Sequence, residues 1–237
     1  MTNDLSNITL VFDEDIESCE NMFQGLTNLV QIDLSKFDAS KVTSMRSMFE
    51  GCSNLERIYF GRINTSSVIY MDNLFHNCIK LEYIDVSNFD TTNVTHMNYM
   101  FSKCVALTSI DVSNFRTTNV INMEDLFSYC SNLVSIDLSN FDTSNVQNMK
   151  GIFYSSNSLK YIDLRNFNGS SVRNMEYTFG FCSSLTHLNL KNFKIVNEFF
   201  LYETFTNIPE TVKYCIEDSN TKDFLIGDKS SDCSNSI

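Results

Sequence analysis

Leucine recurs at Leu29, Leu55, Leu81, Leu107, Leu133, Leu159 and Leu185, always 26 residues apart. Phe23, Phe49, Phe75, Phe101, Phe127, Phe153, Phe179 and Phe205 keep the same spacing, so one period governs the chain from near its start to about residue 205. A second series, Phe37, Phe89, Phe115, Phe141, Phe167 and Phe193, is broken only at Ile63. A period of this length without drift means that one supersecondary unit is repeated. A single copy cannot bury its own apolar face, so the copies must stack on one another.

The unit reads L-x-x-I-D-L-S-x-F-D-x-S-x-V-x-x-M-x-x-M-F-x-x-C followed by two variable residues. In its first half apolar and polar residues alternate, with Ile32 and Leu34 inward and Asp33 and Ser35 outward, which is the period of a short strand. From Val42 the apolar positions fall at Met45, Met48, Phe49 and Cys52. That spacing predicts about two turns of helix with one apolar stripe. Ser44, Asn122, Asn148 and Asn174, each just before the Met, read as helix N-caps. With seven Gly and one Pro, the turns fall to Asn, Asp and Ser, whose side chains bond back to the backbone. The expected fold class is an α/β repeat, with a parallel β-sheet on one face and short helices on the other. Seven strands at ~4.8 Å give a slab on the order of 35 Å long.

The strand pattern Leu29-x-x-Ile32-x-Leu34 resembles the leucine-rich repeat. The whole unit, as it stands over residues 133–153, is similar to the BspA-like surface-protein repeats, a type also found in mycoplasma lipoproteins. The resemblance covers about residues 23–205. It implies a leucine-rich-repeat-like solenoid on a cell-surface or secreted protein that binds other proteins as an adhesin does, and it implies no catalytic residue.

Three segments are expected: an acidic N-terminal cap over residues 1–22, the repeats over 23–205, and a C-terminal cap or tail over 206–237. The first holds Asp4, Asp13, Glu14, Asp15, Glu17 and Glu20 and no Lys or Arg, with Ile8, Ile16, Cys19 and Met22 loosely in register. It supplies half of the net charge of -12 and would discourage end-to-end stacking. The copy after Leu185 degenerates, with Glu198 where Val is expected. The overall balance, 17 basic against 29 acidic residues, argues against a nucleic-acid partner, whose phosphates an acidic surface repels. No apolar run reaches the roughly 18–20 residues of a membrane span, and Met1–Asn7 has no basic or long apolar stretch of a signal peptide.

Chemistry-bearing residues do not converge. Cys52, Cys78, Cys104, Cys130 and Cys182 share one repeat position, with Ser156 in the gap. There is no C-x-x-C, so buried thiols are expected rather than zinc ligands. Cys215 and Cys233 lie outside that column and could form a disulfide, which would favour an oxidising compartment. His76, His96 and His187 occupy three different repeat positions, which gives no support to a nucleophile–histidine site, and no phosphate-binding glycine loop occurs. No enzyme, cofactor or metal is expected. Asn7, Asn64, Asn93 and Asn168 open N-x-[ST] sequons that matter only in a eukaryotic secretory pathway.

The outward strand positions form the one coherent candidate surface. One column runs Asp33, Tyr59, Asp85, Asp111, Asp137, Asp163, Asn189. Like charges on adjacent strands are unfavourable, so the column reflects either a partner or cation, or hydrogen bonds from nearby Ser and backbone groups; the second is favoured because the Asp recurs with the structural residues. Flanking columns vary more, and Tyr and Arg are frequent interface anchors. The candidate face therefore comprises Arg57, Tyr59, Tyr83, Asp85, Asp111, Asp137, Tyr161, Asp163 and Arg165. The expected partner is a protein or a glycan, and the expected state is a monomer. A surface or secreted binding module is the first reading, and an intracellular interaction scaffold of the same fold the second.

Overall fold

The computed structural model describes residues 15–194, 201–226 and 230–234. Asn7, Ile8, Asp4, Asp13, Glu14 and Glu198 lie outside the described residues. Among the described residues there are five three-residue strands: β1 (Gln31–Asp33), β2 (Arg57–Tyr59), β3 (Tyr161–Asp163), β4 (His187–Asn189) and β5 (Lys213–Cys215). All pairings are parallel. β1 sets Ile32 beside Ile58 of β2, β3 sets Ile162 beside Leu188 of β4, and β4 sets Leu188 beside Tyr214 of β5. Each pairing joins residues one sequence period apart. In these copies the alternating pattern therefore places the strands at the same height in a stack.

A second ladder runs up another side. Ser18, Ser44, Tyr70, His96, Asn122, Asn148 and Asn174 bridge in parallel, one residue per copy. These positions include all four predicted helix N-caps. Asn122 Oδ1 accepts the Glu124 amide at 2.9 Å, Asn148 the Lys150 amide at 3.1 Å and Asn174 the Glu176 amide at 2.9 Å. Each side chain thus opens a turn, as an N-cap would, but no helix follows.

The predicted short helices are replaced by linked turns, and the backbone amides show why. Cys19, Asn21, Phe23 and Gly25 donate to the carbonyls of Ser44, Arg46, Met48 and Glu50 in the next copy, while Met22, Gln24 and Leu26 donate three residues back within their own copy. A helix would direct every amide four residues back in its own segment. Here alternate amides tie neighbouring copies together, at the expense of two left-handed residues per copy. Those are Asn21 and Gly25, Ser47 and Gly51, Asn73 and Asn77, Tyr99 and Lys103, Asp125 and Tyr129, Gly151 and Ser155, Tyr177 and Phe181, and Glu203 and Asn207. For a residue other than Gly each costs roughly 1–2 kcal/mol, least for Asn and Asp. The Met-Met-Phe-Cys spacing suits these turns as well as it suits a helix, so periodicity alone did not separate them. Among the described residues the one α-helix is α1 (Ser219–Leu225), capped by Asp218, whose carboxylate accepts the Thr221 amide at 2.8 Å.

The core lies between these ladders. The first Phe series forms one stack of rings, with centroids 5.2 Å apart for Phe23 and Phe49, 5.5 Å for Phe101 and Phe127, and 5.4 Å for Phe179 and Phe205. Phe115, Phe141 and Phe167 stack likewise at 6.4 and 6.2 Å. Each fully buried Phe or Leu contributes roughly 1.5–3 kcal/mol, and truncating a central ring such as Phe101 to Ala would cost about 3–5 kcal/mol.

Pairing is also present near both ends: Ser18 bridges Ser44, and β5 keeps the register of β4 before Tyr214 bridges Ser231. Pairing needs only backbone and one inward apolar side chain, which Tyr214 supplies while the Leu and Phe signature is lost. The expectation of one parallel sheet needs correction: among the described residues it is two pieces, β1–β2 and β3–β4–β5. Paired strands set Asp33 beside Tyr59 and Asp163 beside Asn189. The intervening copies, where Asp85, Asp111 and Asp137 succeed one another, are not paired as strands, which is the effect expected of like charges on adjacent rungs.

Candidate functional site

Of the candidate residues, Arg57 and Tyr59 lie on β2 and Tyr161 and Asp163 on β3; Tyr83, Asp85, Asp111 and Asp137 hold the matching repeat positions in copies not paired as strands, and Arg165 lies just beyond β3. Each Asp of the repeated column closes a local turn. Asp33 accepts the Ser35 amide at 2.8 Å, Asp85 the Ser87 amide at 3.0 Å, and Asp111 and Asp137 the amides of Ser113 and Ser139 at 2.9 Å. Hydrogen bonds from the side chain and backbone of that Ser hold Asp33, Asp85 and Asp111 below the usual carboxylate range, and the Ser139 backbone and side chain do the same for Asp137. The column is therefore accounted for by the turn that ends each strand. Asn64 and Asn168 close equivalent turns with Ser66 and Ser170, and the Asn93 side chain donates to the Ser66 carbonyl at 2.8 Å.

Tyr161, Asp163 and Arg165 form one cluster. Arg165 Nε donates to Asp163 Oδ2 at 2.7 Å, the Tyr161 hydroxyl donates to the same oxygen at 3.1 Å, and the Tyr161 ring lies 6.3 Å from that of His187. Asp163 and the Tyr161 hydroxyl raise the affinity of the Arg165 guanidinium for its proton, so it stays charged. At the other end Tyr59 and Tyr83 are 48% and 65% exposed. They stand on adjacent copies beside Arg57 and Asp85, above the buried Ile58 and Ile84. This end of the face is open, and the other is held by its own polar bonds.

The cysteine column is internal. Sγ of Cys52, Cys78, Cys104, Cys130 and Cys182 donates to the Phe carbonyl of the preceding copy at 3.0–3.3 Å. Burial pushes Cys130 and Cys182 up to about 12. Cys215 and Cys233 are joined in a disulfide that fastens the tail to β5. The histidines stay apart: His96 packs on Tyr70, His187 on Tyr161, and His76 on Tyr99, where burial lowers its proton affinity. Among the described residues no group of three or more His, Cys, Asp or Glu could hold a metal ion, and no helix is long and apolar enough to cross a membrane.

Sequence reasoning passed over one surface. On the linked turns, Tyr154 packs edge-on against Tyr129 at 5.3 Å, Tyr177 at 5.6 Å and Phe181 at 5.3 Å, and Tyr177 against Tyr202 at 5.9 Å. The signal was present in the columns. Tyr129, Tyr177 and Phe181 occupy left-handed positions that other copies fill mostly with Gly, Asn or Ser. Gly180 leaves room for the Tyr154 ring, which a Cβ there would meet at 3.1 Å.

Fold and faces together define a repeat protein of stacked 26-residue turns that presents side chains in columns. Residues 17–133 and 107–215 match the family described as "Mycoplasma protein of unknown function, DUF285", and the chain belongs to that family. No curated protein matches the chain. Solved structures similar to it include the leucine-rich-repeat protein TpLRR of T. pallidum, at 20% identity over 83% of this chain and 64% of that one, with a TM-score of 0.34. An internalin, InlF, from Listeria monocytogenes is 12% identical over 85% of this chain and 59% of its own, with a TM-score of 0.36. A leucine-rich-repeat protein from Bacteroides ovatus is 16% identical over 92% and 71% of the two chains, with a TM-score of 0.38. The chain spans less than two thirds of the length of the first two.

Proposed function

We propose that this chain is a non-enzymatic binding module, a leucine-rich-repeat-like solenoid whose outward strand face engages a protein partner. In this reading it works at a cell surface or in secreted form, in the manner of BspA-like adhesins. The observation that carries it is the pair Tyr59 and Tyr83, large side chains about half and two thirds exposed on adjacent copies, flanked by Arg57 and Asp85 on a rigid scaffold. Tyr and Arg are the side chains that most often anchor interfaces. The Cys215–Cys233 disulfide supports an oxidising compartment. The six free thiols favour the second reading, an intracellular scaffold of the same fold.

The test presents the full chain to an array of purified matrix proteins and glycans and compares it with the Tyr59→Ser/Tyr83→Ser variant by surface plasmon resonance. A partner that binds the native chain and loses about tenfold or more with the variant supports the reading. Undiminished binding by the variant moves the site off the strand face. Silence across the array, together with eight free cysteines in protein from its native source, favours the intracellular scaffold.

A further inference from the structure

The linked turns of the last four copies carry more exposed aromatic surface than stacking requires. Tyr177 and Phe181 sit at φ 56° and 60°, where a bulky side chain is an outlier, and Tyr202 is 62% exposed. The Tyr154, Tyr177 and Tyr202 rings pack edge-on one after another, and the face of such a ring is electronegative. Carboxylates flank them. Glu176 precedes Tyr177 and Glu203 follows Tyr202, and among the described residues neither forms an ion pair with a basic side chain. Burial, the larger cause, holds Tyr177 above the usual phenol range, and the nearby Glu203 and Glu176 add to it.

The same side of the stack already shows what such a pairing accepts. Near the other end, the Arg46 guanidinium lies 4.2 Å from the centre of the Tyr70 ring while its Nε donates to Asp72 at 2.8 Å. One ring and one carboxylate from the next copy thus grip a guanidinium of this chain. Lys103 similarly lies 5.7 Å from the Tyr129 ring. Tyr177, Tyr202, Glu176 and Glu203 supply rings and carboxylates again, and among the described residues no guanidinium is stacked on either ring.

We propose that the turn face around Tyr154, Tyr177 and Tyr202 is a second docking surface, which takes an arginine-bearing peptide segment of a partner protein. A planar guanidinium stacks on a tyrosine face and bonds a carboxylate through its fork, whereas an ammonium is a compact, strongly hydrated charge. Arg46 on Tyr70 is the internal example of that choice. This surface is separate from the strand face, so it stands or falls independently of Tyr59 and Tyr83.

The probe is a fluorescein-labelled peptide of four arginines spaced by Ser and Gly, read by fluorescence anisotropy against the full chain, with citrulline and lysine versions as controls. The arginine peptide is expected to bind about tenfold or more tighter than the citrulline peptide and measurably tighter than the lysine one. Tyr177→Asn/Tyr202→Ser leaves the net charge unchanged and puts Asn at a left-handed position it accepts; it should weaken the arginine peptide by about tenfold, as should Glu176→Gln/Glu203→Gln. Tyr59→Ser/Tyr83→Ser should leave it unaltered. If the double variant melts below assay temperature, the exposed Tyr202→Ser alone should give about a threefold loss. Equal binding by the native chain and the Tyr177/Tyr202 variants would reduce the attraction to the net charge of -12 and overturn the proposal. A loss confined to the Tyr59/Tyr83 variant would overturn it too, by placing the peptide on the strand face.

Discussion

The hydroxyl of Ser156 donates to the backbone carbonyl of Phe127 at 2.7 Å. The cysteines at the same repeat position make the same bond through sulfur, as Cys130 does to Phe101 at 3.1 Å. The column is thus a hydrogen-bonding position that accepts a small donor, and sulfur chemistry is incidental to it. Cys130→Ser should keep the bond and change stability by less than about 1 kcal/mol, whereas Cys130→Val keeps the bulk, loses the donor and should cost about 0.5–1.5 kcal/mol. Urea denaturation of the two variants checks this. A Val variant as stable as the native chain would show that the carbonyl needs no bond from this side chain.

The thiols should also be inert. The thiolate is the reactive species, and burial holds Cys19, Cys130 and Cys182 at about 12. At pH 8 a thiol so shifted is ionised to about one part in ten thousand. A thiol-reactive chromogenic disulfide should therefore modify none of the six free cysteines in the folded chain, and should count six in denaturant without reductant and eight after reduction. Rapid labelling of folded protein would mean that the stack opens on the timescale of the assay.

The period, the strand, the inward Leu and Phe columns and the buried thiols were all legible in the sequence, because identical residues in register must meet identical neighbours. The linked turns were not, because the apolar spacing of Met45, Met48, Phe49 and Cys52 fits a helix stripe and a chain of turns alike. The discriminating residues are at the left-handed positions, where Asn21, Asn73, Asn77, Gly25 and Gly51 are poor choices for a helix interior. On the face, Arg165 and Tyr161 looked like open anchors, but contacts with Asp163 along the same segment occupy them. Sequence columns show which residues share a face and not which of them bond one another.

That distinction has a direct test at Asn73, whose φ is 54°. Were this segment helical, Asn73→Ala would stabilise it by roughly 0.5 kcal/mol, since Ala is the better helix former. In a left-handed turn the same change should destabilise by about 1 kcal/mol, and Asn73→Gly should be close to neutral. Thermal melts of the two variants, with a far-ultraviolet circular dichroism spectrum lacking strong helical minima, would agree with the turns. A stabilised Ala variant would restore the helix.

Asp125 supplies a pH dependence of opposite sign to the strand-end carboxylates. It sits at a left-handed position against Gly151, where an added Cβ would collide with its carboxylate, and burial, the largest cause, raises it to about 6. Ser128 and Tyr99 hydrogen bonds and Lys150 oppose the rise, while Glu124 adds to it. A carboxyl whose folded value lies above its unfolded one is bound to its proton more tightly when folded. Its contribution to stability is full below about pH 4 and declines as pH rises toward 6, because the charged form is poorly solvated in the fold. Asp33, Asp85, Asp111 and Asp137, held low, contribute above that range and lose their contribution in acid, so comparing the native chain with a single variant is needed to isolate Asp125. Asp125→Asn removes the titration, keeps an acceptor for Ser128 and suits the backbone conformation. Its melting temperature relative to the native chain should therefore climb between pH 4.5 and pH 7.5, with a gain of a few degrees at the upper end, about what 1 kcal/mol produces in a chain of this size. Calorimetry at the two pH values decides the matter, and a difference that stays flat across them would show that Asp125 titrates as an ordinary surface carboxylate.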